Sequence, residues 1–271
     1  MIRKATITAF KSLAQVDLNL GRINVFIGEN GAGKSNLLEA LAFGAAASTR
    51  QLSHEFLATR GVRSVAPELM HCAFPGAPTQ ITIQVCNDTG ADAQTLRLNW
   101  ASSHWVGQAL SEGDADRMAE ILAAMVPTRA HDEIVKMLAE APDSAPREDR
   151  LRTLGMSTFL AYSPEYSALR TFQDETQILP LGVRGEGLFA HLKQLANLPT
   201  PAAFNEIIAQ MNLFDWFEGL AMPSDLAPGE RRLRIRDRYL TDQTAFDQRS
   251  ANEGFLFLLF YFTLDLGTRR H

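Results

Sequence analysis

Near the N-terminus, the run Gly28 to Ser35 reads GENGAGKS and combines three glycines with a lysine and a serine. Glycines allow successive backbone N–H groups to turn inward around an anion, and a side chain at Gly33 would stand where phosphate groups must lie. Lys34 could then reach the β- and γ-phosphates of a nucleotide, and the Ser35 hydroxyl could ligate Mg²⁺. The spacing GxxxxGK[ST] is that of a P-loop, or Walker A motif, and it predicts nucleotide binding.

The flanking sequence supplies the elements that a P-loop needs on either side. Arg22 to Ile27 contains the run INVFI, which is apolar nearly throughout and typical of a strand covered on both faces. Asn36 to Ala47 follows as a helix whose apolar stripe contains Leu37, Leu38, Leu41 and Ala42. Such a helix would point the positive end of its dipole at the bound anion. The predicted nucleotide-binding residues are Gly28, Glu29, Asn30, Gly31, Ala32, Gly33, Lys34, Ser35 and Asn36, with Lys34 as the catalytic residue and Ser35 as the metal ligand.

Further along, apolar and polar residues alternate or recur in ways that predict strands and helices. Ile2 to Phe10 and Val16 to Leu20 are predicted to form a hairpin around Lys11 and Ser12. The remaining predicted elements are strands TQITIQV and QTLRLNW within 79–100, a helical region Ser111 to Arg152, a strand at 157–163, a helical stretch Gly187 to Leu220, a strand Arg232 to Leu240 and a helix Ser250 to Leu266.

Composition excludes several classes of protein. The 271 residues are 46% hydrophobic and 21% charged, which is ordinary for a folded globular chain and not for a disordered one. The net charge of −5 provides no global positive field, so any contact with DNA must be local. The longest apolar run, Phe255 to Leu264, is half a membrane span, and no signal peptide is visible.

Cysteine and histidine spacing gives no sign of a metal site or a disulfide framework. Cys72 and Cys86 form no CxxC pair, which favours a reducing cytoplasm. Six histidines lie without HxxxH or HExxH spacing: His54, His71, His104, His131, His191 and His271.

The region around the glycine-rich loop resembles a particular class of P-loop proteins. The absence of an NKxD motif disfavours a GTPase. The stretch ITAFKSLAQVDLNLGRINVFIGENGAGKSNLLEALAF resembles the opening of ABC-type ATPases of the SMC, RecF and OLD kind, over about the first 45 residues. STFLAYSPEYSALR and LGVRGEGLFAHLKQL look like mid-chain segments of smaller members of that group, the AAA family ATPases. The resemblance implies ATP and Mg²⁺ as cofactors.

Near the C-terminus, SANEGFL resembles the ABC signature of the same group, although Asn252 stands where the family usually has serine. The resemblance implies that Ser250, Asn252 and Gly254 bind the nucleotide held by a second copy of the chain. ATP would then be sandwiched between Gly28 to Asn36 of one protomer and Ser250 to Gly254 of the other. The expected assembly is an ATP-gated homodimer.

The family also has a Walker B strand ending in Asp and Glu, followed by a switch histidine, and neither occurs in this chain. The Asp would hold the Mg²⁺ shell and the Glu would polarise the attacking water. We therefore expect the complete protein to hydrolyse ATP and these 271 residues to hydrolyse it weakly or not at all. The missing strand favours an incomplete chain, because a selected loss of catalysis need not delete a central strand.

The predicted fold is an α/β P-loop NTPase of ABC type with a mixed β lobe (1–110), a helical insertion (111–155) and a helical, signature-containing part (156–271). The predicted function is ATP-driven dimerisation that controls an associated nuclease or effector in bacterial antiphage defence. A RecF-like DNA-repair ATPase that clamps DNA and a non-hydrolysing nucleotide-sensing scaffold remain alternatives, and a small-molecule kinase is a remote one. Expected partners are further copies of this chain, in a homodimer or a higher homo-oligomer, and a nuclease or effector protein. DNA is a further candidate partner, and no membrane is expected.

Several polar residues carry weaker hypotheses. A strand at 232–240 would place four guanidinium groups on one face, which could follow a DNA backbone or simply face solvent: Arg232, Arg234, Arg236 and Arg238. Arg170 and Arg184 could contact phosphate or a partner. Gln51 and Gln84 are alternative candidates for a residue that senses the γ-phosphate.

Overall fold

The computed structural model describes residues 2–63, 65–86, 94–101, 104–111, 155–172, 181–223, 226–227, 229–241 and 244–268. The chain forms two compact units, Met1–Ala161 and Tyr162–His271. Residues 112–154, nearly all of the predicted helical insertion, lie outside the described residues, so the insertion stays a prediction. Within the described ranges, no helix combines the length and apolar character that crossing a membrane requires.

The first unit is built on an antiparallel sheet of five strands in the order β2-β1-β3-β4-β5. These strands are β1 (Lys4–Phe10), β2 (Leu13–Asn19), β3 (Ile81–Cys86), β4 (Gln94–Ala101) and β5 (His104–Ser111). Its helices are α1 (Lys34–Ser48), α2 (His54–Thr59) and α3 (Pro67–Met70). The structure confirms the predicted hairpin and the two strands within 79–100. It adds β5, whose last residue had been assigned to the helical region.

One face of this sheet forms the core of the first unit. Alternate residues of β1, β3 and β4 are buried there: Ala5, Ile7, Ile81, Ile83, Val85, Leu96 and Leu98. Helix α1 packs against them, with the Phe43 ring centroid 5.7 Å from that of Phe10 and 5.1 Å from that of Trp105. A Cβ at Gly44 would lie 2.4 Å from Met156 Cε, so the small residues of GAAAS allow this close packing.

Helix α1 is covered on more sides than an amphipathic stripe predicts. Leu37, Leu41 and Ala42 are buried as predicted, but Leu38 is 37% exposed. Every residue from 39 to 48 is buried. The reason is that the sheet and the short 3-10 turn Met156–Thr158 both pack against α1.

The prediction of a strand at Arg22 to Ile27 is wrong for this structure. These residues adopt no strand, and Ile23, Val25 and Ile27 are 83%, 76% and 91% exposed. A strand covered on both faces needs hydrogen-bonding neighbours and packing layers. Among the described residues, the sheet runs continuously from β2 to β5, and the segment 22–27 joins none of its strands.

The second unit contains helices around a three-stranded sheet of order β6-β7-β8. Its elements are α4 (Tyr166–Thr171), α5 (Leu188–Ala196), α6 (Ala202–Met211), β6 (Phe217–Ala221), β7 (Arg234–Asp237), β8 (Ala245–Phe246) and α7 (Glu253–Thr268). Helix α7 supplies the centre of the core through residues that are fully buried: Phe255, Leu256, Leu259 and Phe260. The predicted helix Ser250 to Leu266 is confirmed in α7, and the predicted strand Arg232 to Leu240 is confirmed over β7.

Two predictions in and beside this unit need correction. The helical stretch Gly187 to Leu220 is divided into α5, α6 and β6, because Pro201 precedes α6 and residues 217–221 pair with β7. The predicted strand at 157–163 is a 3-10 turn followed by irregular chain. The backbone of this segment forms hydrogen bonds with residues outside any strand; for example, Ala161 N donates to Arg60 O at 3.0 Å.

Candidate functional site

Two glycines of the glycine-rich loop adopt left-handed backbone conformations just before α1 begins. Gly31 and Gly33 have φ angles of 89° and 87°, a region that disfavours residues with a Cβ. Gly33 is the N-cap of α1, and no side chain caps this helix. The N–H groups of the first turn therefore lack intrahelical partners, which is the arrangement that binds anions.

Gly33 also brings the loop against the turn of the β1–β2 hairpin. A Cβ at this position would lie 3.0 Å from Ser12 Oγ and 3.1 Å from Leu13 Cδ2. The sequence pattern predicts that glycine here leaves room for phosphate. In the structure, the left-handed backbone and the close hairpin turn both disfavour a side chain at this position.

The Lys34 side chain folds back over the loop. Its Nζ donates to the carbonyl oxygens of Gly28 at 2.7 Å and Glu29 at 2.6 Å. Ala32 N donates to the same Glu29 carbonyl at 3.2 Å. The loop thus holds one positive charge beside the uncapped first turn, where Ser35 is exposed. This arrangement can neutralise phosphate oxygens and offer a hydroxyl to a metal ion.

Three charged residues that the sequence analysis did not single out lie next to this turn. Glu39 is buried on α1, and it pairs with Lys11 from the hairpin turn and with Arg63. Asn36 on α1 contacts both the hairpin turn and this group, because its Nδ2 donates to Ser12 Oγ at 2.8 Å and its Oδ1 accepts from Arg63 Nη2 at 3.4 Å. A charged residue on an otherwise apolar helix was the available signal for Glu39.

The segment Ser250 to Gly254 lies at the N-terminus of α7 in the second unit, and Ser250, Asn252 and Gly254 are exposed. Asn252 Oδ1 accepts from Phe255 N at 2.8 Å, so its side chain caps the helix while its Nδ2 donor is not used by that bond. The nearest atom to a Cβ at Gly254 would be Asn252 Oδ1 at 3.6 Å. The fold therefore does not need a glycine at position 254.

The backbone just before this segment is fixed by side chains of α4. Arg170 donates to the Arg249 carbonyl and stacks on the Tyr166 ring with 5.0 Å between the guanidinium carbon and the ring centroid. The Tyr166 hydroxyl donates to Ala251 O at 2.9 Å. Arg170 is thus an anchor of this segment, and its contact with phosphate or a partner stays a prediction. Arg184 pairs with Glu165 at 3.5 Å.

A cavity of about 390 Å³ opens beside Ser250, and its lining includes Arg232, Arg234 and Asp247. Most of the predicted row of arginines is engaged within its own unit. Arg232 lies 3.5 Å from Glu230, Arg236 lies 3.8 Å from Glu218, and Arg238 donates to Phe217 O at 3.1 Å. The hypothesis of a DNA-binding face therefore rests mainly on Arg234, which is exposed.

The remaining candidates divide between the units. The glycine-rich loop, Gln51 and Gln84 belong to the first unit, and Ser250, Asn252 and Gly254 belong to the second. Gln84 lies on β3 opposite Thr6 and Thr95, whereas Gln51 is an exposed residue whose N–H donates to Ala46 O. Among the residues that the structure describes, no group of three or more His, Cys, Asp and Glu side chains could hold a metal ion.

Comparison with known proteins agrees with the resemblance drawn from the loop. Residues 1–71 match the AAA ATPase domain family. The chain is 44% identical over 55 residues to the DNA replication and repair protein RecF of Renibacterium salmoninarum, and 47% identical over 49 residues to that of Paenarthrobacter aurescens. These matches cover 20% and 18% of this chain and only 14% and 12% of the relatives' own lengths.

Proposed function

We propose that this chain is a nucleotide-gated subunit of the ABC-type, SMC- and RecF-like AAA ATPases. The match of residues 1–71 to the AAA ATPase domain family and the short similarities to RecF support this proposal. ATP with Mg²⁺ drives two copies together in the cytoplasm, and closure controls an associated nuclease or other effector in bacterial antiphage defence. Lys34 and the loop bind the triphosphate, Ser35 binds Mg²⁺, and Ser250, Asn252 and Gly254 of the second copy close the site.

The observation that carries this proposal is the uncapped start of α1. Gly33 provides the N-cap without a side chain, so the first-turn N–H groups are uncapped. The Lys34 ammonium lies on the same short stretch of chain, bonded to two loop carbonyl oxygens. An anion with several oxygens satisfies these donors together. A triphosphate with Mg²⁺ fits this donor set and the exposed Ser35 hydroxyl.

The second half of the site is supported by the segment before α7. Tyr166, Arg170 and Gln248 hold its backbone in place, while the Ser250 side chain and Gly254 face solvent. Gly254 lowers the helix propensity of the first turn by about 1 kcal/mol relative to alanine. A close approach by a phosphate group of another molecule accounts for a glycine that the fold does not need.

Ser250→Ala is expected to weaken ATP-induced dimerisation roughly 30-fold. A dimer would lose two hydrogen bonds to phosphate, each contributing about 1 kcal/mol. Sedimentation velocity with and without Mg·ATP measures the dimer dissociation constant. Ser167→Ala, which removes an exposed hydroxyl from α4, is the matched control and should stay within about twofold of the wild type. A chain that stays monomeric at saturating ATP would contradict the proposal.

The similarity to proteins named for DNA replication and repair favours one alternative, a RecF-like clamp on DNA. Arg234→Glu tests it, since Arg234 is an exposed arginine that lines the cavity beside Ser250. A DNA clamp predicts ATP-dependent retention on duplex DNA that this substitution reduces at least fivefold, because the charge reversal repels phosphate. Under the main proposal, fluorescence anisotropy shows equal DNA affinity for both proteins, with and without ATP.

A further inference from the structure

Glu39 is a buried carboxylate one helical turn beyond Ser35. It is 4% exposed, and it accepts from Arg63 Nε at 2.6 Å and from Arg63 N at 3.4 Å. Lys11 Nζ donates to Glu39 Oε2, the oxygen that also accepts from Arg63 N, and to the Arg63 carbonyl oxygen at 2.9 Å. One negative and two positive side chains leave the cluster with one net positive charge, which lies beside the glycine-rich loop.

Stability alone does not account for such a cluster. Burying an ion group costs desolvation that its mutual attraction barely offsets, and apolar residues of similar size often stabilise a core better. Lys11 adopts φ 49° as the first of the two residues that turn β1 into β2, so this backbone angle belongs to the hairpin. The buried carboxylate with its two cations is the feature that points to a functional site.

The cluster directs one of its cations toward the start of α1. The Arg63 side chain is 66% exposed, unlike that of Lys11, which is 11% exposed. Arg63 Nη2 lies 3.4 Å from Asn36 Oδ1, and Asn36 immediately follows Ser35. The exposed guanidinium therefore lies beside the first turn of α1, next to the residue that follows Lys34 and Ser35, the predicted ligands of phosphate and Mg²⁺.

We propose that Arg63 binds the γ-phosphate of the nucleotide and that Glu39 is the residue that positions it. Glu39 engages the Arg63 Nε and backbone N–H, and Asn36 Oδ1 accepts one Nη2 hydrogen at 3.4 Å. Nη1 and the second Nη2 hydrogen are left to form charge-assisted hydrogen bonds with phosphate oxygens. Arg63 then distinguishes ATP from ADP, which couples dimer closure to the γ-phosphate. This inference rests on the proposed function, because it requires a nucleotide in the glycine-rich loop.

Isothermal titration calorimetry of the full chain with Mg·ATP and with Mg·ADP tests the assignment. Arg63→Ala is expected to weaken ATP binding about tenfold and ADP binding less than twofold. Arg63→Lys, which keeps the charge without the fork of donors, should recover part of the loss. The matched control is Arg236→Ala, since Arg236 is 57% exposed and is also paired with a carboxylate, and it should change neither affinity.

Glu39→Gln is expected to reduce the preference for ATP over ADP in the same direction as Arg63→Ala, because the guanidinium is then released. If this variant fails to fold, the exposed Arg63 substitutions still decide the question. Equal losses for ATP and ADP, or no loss for either, would overturn the inference. Failure of the wild type to bind ATP would instead overturn the proposed function.

Discussion

Replacing Lys34 with alanine is expected to weaken Mg·ATP binding about 100-fold. The lysine would supply two charge-assisted hydrogen bonds to phosphate, each of about 1.5 kcal/mol, and 3 kcal/mol corresponds to somewhat more than a factor of 100 in the dissociation constant. Its Nζ already lies within the loop, bonded to the Gly28 and Glu29 carbonyls, so only a local rotation is needed to reach a ligand. Isothermal titration calorimetry measures the change directly.

Lys4→Ala is the control for Lys34→Ala, because it removes an exposed positive charge from the same unit. It should leave ATP affinity within about twofold of the wild type. Thermal unfolding separates a loss of ligand contacts from a loss of structure, since Lys34 also bonds its own loop. ATP turnover by the wild type should stay close to background, and rapid Lys34-dependent hydrolysis would contradict the expectation of weak catalysis. Binding that survives the Lys34 substitution would remove the glycine-rich loop from the proposed site.

Gly61→Ala is expected to lower the free energy of unfolding of the first unit by about 4 kcal/mol. Gly61 has φ 80°, and a Cβ there would lie 1.9 Å from the Ala161 carbonyl oxygen. This carbonyl belongs to backbone, which cannot move aside easily, because Ala161 N is bonded to Arg60 O at 3.0 Å and the Arg60 guanidinium donates to Ser157 O at 2.7 Å. Left-handed strain of about 1–2 kcal/mol adds to an overpacking cost of about 1–3 kcal/mol.

Gly76→Ala isolates the two contributions. Gly76 has nearly the same backbone angle, φ 79°, but a Cβ there would meet nothing within 4 Å. It should therefore cost only the strain, about 1–2 kcal/mol. Urea unfolding followed by circular dichroism measures both variants. Equal destabilisation by the two substitutions would show that residues 155–161 do not press against Gly61 as described.

Elements that depend on short-range pattern were predictable from the sequence. The hairpin of β1 and β2 follows from the alternation of apolar and polar residues on both sides of Lys11 and Ser12. Helix α1 follows from the glycine-rich loop and the apolar run after it. Helix α7 was likewise predictable, since its apolar length and the polar residues before it are contiguous. The N-terminal family resemblance depended on the same contiguous stretch, and the comparisons confirmed it.

Features that depend on distant partners were not predictable in this way. The composition of INVFI indicates a buried strand, but a strand forms only where other strands pair with it, and pairing is not encoded in the segment itself. The ion cluster of Lys11, Glu39 and Arg63 joins three places in the sequence that no spacing rule connects. Arg170 was similar, because its role depends on the distant Arg249 carbonyl.

The exposed segment 22–27 has a consequence for how the protein behaves at high concentration. Ile23, Val25 and Ile27 present β-branched side chains in a row, together with backbone groups that no described strand satisfies. Stretches of this kind recruit like stretches from other molecules and start aggregates. We therefore expect this segment to be a place where copies of the protein associate as the concentration rises.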